Sequence, residues 1–256
     1  RYDRSHSRHL AKHVDVAFPD RWLAKGVRWI CQSTAWFHDC CPGDHFHRSD
    51  RRFSQPIFPI NFKEKSFYMK PKILMPIGDG TEALDTFYAY YRLPEDGYEV
   101  VVAAPQARLY HTVLHEIPPN PDVPWDITQE RPGYHLRASM PFAELRAEDF
   151  VGAFVSGGRA PEYIGYDMDL CRCIRQIAEA GKPIACLCHG IEILTAADCI
   201  QGKRVTTVPK CQMDAEQGGA CYVDQDVVLD GKLITGRGYA ENTEVLKAFL
   251  RLLNKS

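Results

Sequence analysis

The chain has 256 residues, with 31 Lys and Arg against 33 Asp and Glu, a formal net charge of −2, and 45% hydrophobic residues. This is the make-up of an ordinary soluble globular protein. It excludes a globally basic nucleic-acid binder, and no apolar run approaches the roughly 20 residues that a membrane span needs. Ten cysteines are too sparse for a small disulfide scaffold. No secretory signal is read at the front, so free thiols in a reducing, cytoplasmic compartment are expected.

Residues 1–68 differ from the rest. They hold 12 Lys and Arg against 7 Asp and Glu, six of the ten histidines, and Trp22, Trp29 and Trp36, but no methionine before Met69. Seven acidic residues and this aromatic content argue against a targeting peptide. "FHDCCPGDHFH" offers His38, Cys40, Cys41, His45 and His47 to a metal, but the adjacent cysteines do not suit one tetrahedral site. With no helical or strand period, 1–68 is expected to be an irregular N-terminal extension outside the native fold, and 69–256 the folded domain.

Regular structure opens at "KILMPI" (72–77), a continuous apolar run fit for a strand covered on both faces. "GDGT" follows as a turn. A helix is predicted from about Glu82 to Pro94, with Ala83, Leu84, Phe87 and Tyr91 toward the core. "YEVVVAA" (98–104) is a second buried strand. Residues 105–133, proline-rich and without a period, read as a long loop. "FVGAFVS" (150–156) is a third strand, followed by "GGRAPE" and a helix over about 166–180. "KPIACLCHGIEIL" (182–194) is a strand running into a helix. "VVLDGKLIT" reads as a hairpin on Asp230-Gly231, and "NTEVLKAFLRLL" as an amphipathic helix capped by Asn242 or Thr243. Alternating strands and helices predict one α/β domain, with a mostly parallel sheet covered on both faces and its working edge outside the strands' carboxyl ends.

Three loops meet at that edge. Cys188 lies where strand gives way to helix, with Cys186 two residues before it and Gly190 two after. This small-x-nucleophile-x-small spacing suits a sharp elbow. Unpaired N–H groups at such a helix start favour an anion and lower a thiol pKa from about 8.5. A packed strand-end thiol fits the position equally well. Gly157-Gly158 is either a pair of oxyanion donors or a plain turn. Glu82 is either a working carboxylate or a first-turn acid facing the helix dipole, and Glu162 taken alone is solvated. "HTVLHE" offers His111, His115 and Glu116 at helical spacing, but it carries no helical signal, and no metal is expected.

Together, "SGGRAPEYI", "GKPIACLCHGIEILTAAD", "GKRVTT", "GDGTEALDTFYAYYRL" and "VVLDGKLITG" resemble the ThiJ/PfpI family of the class I glutamine-amidotransferase-like superfamily, over nearly all of residues 70–254. The resemblance implies a flavodoxin-like sandwich with a nucleophile elbow, a homodimer or larger assembly, and no cofactor. It also implies Cys188 as nucleophile, His189 as its neighbour, and Glu82 as the glutamate bonded to the thiolate. Glu162 would complete a triad across a subunit interface, and Gly157 and Gly158 would serve the oxyanion. "SGG", Cys186, Ile191 and Glu192 depart from the family pattern. The long loop resembles the plant-type, glyoxalase-like branch. His189 is the last histidine, so a glutaminase triad with a later histidine cannot be built.

The activity implied is that of a glyoxalase or deglycase acting on a small aldehyde such as methylglyoxal, or on glycated protein. An intracellular cysteine peptidase and a redox-sensing, chaperone-like stress protein are the alternatives. Nucleic-acid and membrane partners are not expected. A protein beginning at Met69 is expected to remain soluble and keep its oligomeric state by size-exclusion chromatography. Precipitation, or a change of state, would overturn the reading of 1–68.

Overall fold

In the computed structural model, residues 69–116 and 129–254 are described; the expectation for 1–68 lies outside them. In chain order the first elements are β1 (Lys72–Pro76), β2 (Thr81–Glu82), α1 (Ala83–Glu95), β3 (Glu99–Ala104), β4 (Leu109–Glu116), β5 (Gln129–Arg137), β6 (Met140–Pro141) and β7 (Phe150–Val155). They are followed by α2 (Pro161–Ile164), α3 (Met168–Glu179), β8 (Ile184–Leu187), α4 (Ile191–Ala196), β9 (Arg204–Val205), α5 (Gln212–Gln217), β10 (Cys221–Tyr222), β11 (Val227–Asp230), β12 (Leu233–Gly236) and α6 (Asn242–Leu253).

The main sheet runs β11-β12-β8-β7-β1-β3-β6. Every pairing in it is parallel except β11 with β12. Successive side chains of a strand face opposite sides, and the chain uses both. Leu74, Val101, Val155 and Cys186 pack under α3 and α4, against Leu170, Ile174, Ile177 and Ile193. Ile73, Met75, Phe154 and Leu187 pack under α1 and α6, against Leu93, Leu246 and Phe249. This is the doubly covered α/β sandwich predicted from the continuous apolar runs.

Three expectations are corrected. α1 buries Asp85, Thr86, Ala89 and Leu93 along with Ala83, while Leu84 is 48% and Tyr91 66% exposed. The polar residues turn inward because the helix starts at the working edge. There Thr86 donates to the Glu82 carbonyl and meets Ser156 Oγ at 2.9 Å. The segment read as a loop over 105–133 instead contributes two strands. β4 and β5 pair antiparallel, and β2 adds parallel to β4. Pro132 is tolerated because it sits beside a register shift. Asn242 caps nothing with its side chain; its Nδ2 donates to the Leu84 carbonyl at 2.9 Å and ties α6 to the start of α1.

The loop after β7 is pinned to the loop after β1. Thr81 and Gly158 form an isolated bridge, and the Glu82 N–H donates to the Gly157 carbonyl at 3.0 Å. Gly158 has φ +87°, and a Cβ there would lie 2.3 Å from Glu82 N and 2.4 Å from Gly80 O. Gly97 has φ +90° but open space around it. Gly158→Ala is therefore expected to cost about 3 kcal/mol or more, and Gly97→Ala only about 1 kcal/mol. Urea unfolding measures both; equal costs would show that the backbone contact does not limit this position.

Candidate active site

β8 ends at Leu187, and the chain enters a 3-10 turn, Cys188–Gly190, before α4. Cys188 has φ +54°, a left-handed conformation rarely taken by a residue with a side chain. The turn closes because its neighbours are small. A Cβ on Gly190 would lie 2.9 Å from Val155 O and 3.0 Å from Cys186 Sγ, and one on Gly157 would lie 2.6 Å from Cys188 Cβ. Thr207 Oγ1 donates to the Cys188 carbonyl at 2.7 Å and holds the turn from the other side. The elbow read from the sequence is thus present. Cys186, the rival thiol, is buried, and burial pushes its pKa well up.

Around the half-buried Cys188 sulfur the structure gathers His189, Gly157, Gly158 and an acid that the sequence reading missed. Sγ lies 3.2 Å from His189 Nδ1. The backbone N–H groups of His189 and Gly158 both favour the thiolate. Against them stand burial, the strongest influence, and the Asp85 and Glu82 carboxylates, so the thiol lies well above its ordinary pKa. The expected lowering by the helix start is therefore outweighed, and the resting group is a thiol. Burial, helped by His115, pushes His189 down, which leaves a neutral imidazole beside that thiol.

Asp85 is fully buried in the first turn of α1. Its Oδ2 accepts from Gly157 N at 3.0 Å, and among the described residues its Oδ1 has no hydrogen-bond partner. The Cβ that Gly157 lacks would lie 3.0 Å from Oδ2 as well as against Cys188, so acid and thiol converge on the same glycine. Burial first, then the neighbouring Glu82 charge, raises the Asp85 pKa to about 8. Near neutrality it keeps its proton and is a donor rather than an anion. Spacing was the missed signal: Asp85 follows the capping residue Glu82 by three positions, across the first turn of α1, but an acid in a first turn reads as solvated.

Glu82 is buried, and both its oxygens are engaged by Leu84 and His115. Oε1 accepts from Leu84 N at 3.2 Å and caps α1. Oε2 accepts from His115 N at 3.0 Å and meets His115 Nδ1 at 2.9 Å. His115 also reaches Glu130 at 3.1 Å, and the Glu82 bond, its largest influence, raises its pKa. The second member of the "HTVLHE" set thus braces Glu82 from strand β4, while His111 pairs with Asp79 at 3.0 Å. Glu162 lies further out. Arg159 holds both its oxygens, at 2.9 Å for Oε2, and within one chain it reaches His189 only as a distant charge.

The profile of the DJ-1/PfpI family matches residues 71–252. A deglycase of Thermococcus kodakarensis is 30% identical over 182 residues, covering 71% of this chain and 99% of the relative. A DJ-1 homologue of Arabidopsis thaliana is 26% identical over 190 residues, covering 71% of this chain and 47% of the relative. Over the aligned length the chain is thus at least as similar to this archaeal protein as to the plant one. Among solved structures, a two-domain protein from Anabaena variabilis with DJ-1/ThiJ/PfpI-like and ferritin-like domains aligns with TM-score 0.59 at 25% identity, covering 72% of this chain and 48% of that one. Drosophila melanogaster DJ-1β aligns with TM-score 0.58 at 23% identity, covering 72% and 91%. Among the described residues no helix is long and apolar enough to cross a membrane.

The raised acid fixes a pH dependence. Between the ordinary carboxyl pKa of about 4 and the folded value of about 8, the unfolded chain has released a proton that the folded chain retains. Stability therefore falls as pH rises through that window. Asp85→Asn keeps a partner for Gly157 N–H and removes the titration. It is expected to be more stable than the wild type at pH 8.5 by at least about 1 kcal/mol, with a smaller difference at pH 5. Urea unfolding at the two pH values decides, and a constant difference would show that Asp85 is not the titrating group.

Proposed function

The chain belongs to the DJ-1/PfpI family, and from that premise we propose that it is a cysteine-dependent glyoxalase or deglycase acting on methylglyoxal, glyoxal or their protein adducts. The observation that carries the reading is the thiol–imidazole contact at 3.2 Å beneath two backbone N–H groups, with a protonated acid alongside. Such a site acts on a carbonyl without a preformed thiolate. As Cys188 Sγ bonds to the aldehyde carbon, neutral His189 takes the thiol proton and passes it to the new alkoxide. The Gly158 and His189 N–H groups hold the developing charge, and Asp85 supplies a donor to it.

The hemithioacetal carbon then loses its hydrogen as a proton to His189. That proton returns to the adjacent carbon, whose former ketone oxygen becomes the hydroxyl. The product is a thioester, which water cleaves to the hydroxy acid and free Cys188. Methylglyoxal plus water gives lactate, with no external electron carrier. In an early adduct the aldehyde carbon carries a protein amine or thiol. Breaking that C–N or C–S bond re-forms the C=O and frees the unmodified amine or thiol with its proton, and Cys188 then adds to the aldehyde as above, which accords with the deglycase names of several relatives. A relative described as a putative cysteine protease keeps amide hydrolysis as the rival. That reading is weaker here because both Glu162 oxygens are held by Arg159 rather than orienting His189.

The test is lactate formation from methylglyoxal without added glutathione, run beside a peptidase assay on the same preparation. Cys188→Ala should lower turnover by at least about a thousandfold, and His189→Ala by about a hundredfold or more, with the fold intact by circular dichroism. Full activity in folded Cys188→Ala, or peptide cleavage without lactate, would overturn the proposal.

A further inference from the structure

A second group of donors meets at His189, and the carbonyl chemistry leaves two of its members unused. Glu192 follows His189 by three residues, across the turn into α4, so the two side chains can share a face. Cys211 arrives from the 3-10 turn Pro209–Cys211, whose approach is fixed by the Thr207 bond to the Cys188 carbonyl and by Thr195 Oγ1 donating to the Asp214 carbonyl at 3.2 Å. One ligand atom each from His189, Glu192 and Cys211 lies within 4.8 Å of the others, and Cys211 is buried. The Cys211 thiol donates to Glu192 Oε1 at 3.5 Å.

The donor types narrow the ligand. A thiol, an imidazole and a carboxylate on three sides of one point do not suit calcium or magnesium, which take oxygen donors. They suit zinc and its neighbours in the first transition row. Zinc bonds of about 2.0–2.3 Å in tetrahedral geometry put donor atoms roughly 3.3–3.8 Å apart. The Cys211–Glu192 separation already falls in that interval, and a shift of about 1 Å or less brings the third donor in, within reach of a small ring rotation. The ligands come from two separate turns locked together, so the group is assembled before any ion arrives.

We propose that His189, Glu192 and Cys211 form a three-ligand site for a thiophilic divalent cation of the zinc type, with water in the fourth position. On binding, the Cys211 sulfur forms the bond to the ion and its proton leaves to solvent, so one proton is released per ion. The ion competes with the reacting thiol for His189. This second part rests on the proposed carbonyl chemistry: an occupied site takes away the base beside Cys188, so metal loading silences turnover and chelation restores it.

Cobalt is the probe, because a thiolate–cobalt bond gives a near-ultraviolet charge-transfer band whether or not the protein turns over any substrate. The full chain is titrated in a Cys31→Ser, Cys40→Ser, Cys41→Ser background, so that the N-terminal thiols do not contribute. The expected result is a band saturating at one equivalent and displaced by zinc. It should be weakened at least tenfold in apparent affinity by both Cys211→Ser and Glu192→Gln, and retained in Cys188→Ala. A titration without a saturating band overturns the site, as does a band that persists in both variants or one lost only in Cys188→Ala. Zinc should then inhibit methylglyoxal turnover by the wild type but not by Glu192→Gln. Equal inhibition of the two would overturn the coupling to catalysis and leave the cobalt result standing.

Discussion

Two glycines set how closely the working edge can be assembled. At Gly158 the loop after β7 comes within atomic contact of the loop after β1, and at Gly157 it comes within contact of the elbow after β8. No other residue type permits both approaches. Because the two loops touch there, the Gly158 N–H can face the sulfur, the Glu82 N–H finds its acceptor, and Asp85 is enclosed beside the thiol. The strained φ of Cys188 belongs to the same constraint, since the turn must rise steeply to place its side chain against the glycine pair.

Enclosure also decides the charge state of the site. Several ionisable groups crowd together, Glu82 and Asp85 fully buried and Cys188 and His189 half-buried, and they resolve the conflict by dividing it. His115 lies between Glu82 and Glu130, one ring nitrogen on each, and the Glu82 bond raises its pKa. Asp85, with only a backbone donor among the described residues, keeps its proton. The thiol and imidazole next to it remain uncharged. The resting site is thus close to neutral around the sulfur, and in the proposed chemistry charge would develop there only as a carbonyl accepts it.

Much of the architecture was legible in the sequence because parallel strands covered on both faces leave unbroken apolar runs, and four such runs were present. The elbow was legible for a steric reason: small residues at 186 and 190 bracket the cysteine, and both now abut the turn. Asp85 was hidden by the same reasoning that found the helix. Its hydrophobic pattern points Leu84 and Tyr91 inward, whereas the helix is rotated so that its first-turn polar residues meet the site. The hairpin of β4 and β5 was hidden because prolines interrupt its period, and its strands pair with each other at the margin of the fold rather than in the apolar centre. Glu162 is matched by motif yet stands outside the sulfur's surroundings within one chain, since a motif carries spacing but not the partner that a neighbouring arginine supplies.

The strand order has a consequence for synthesis on the ribosome. β8, which carries the elbow, lies between β7 and β12, so one of its two neighbours is made nearly fifty residues after it. A nascent chain can build β1, β3 and β7 early, but it leaves β8 as an open edge until Leu233–Gly236 emerges and docks. During that interval the strand that leads into Cys188 presents unpaired backbone to any passing partner. The short β11–β12 hairpin that finally covers it acts as the closing step of assembly.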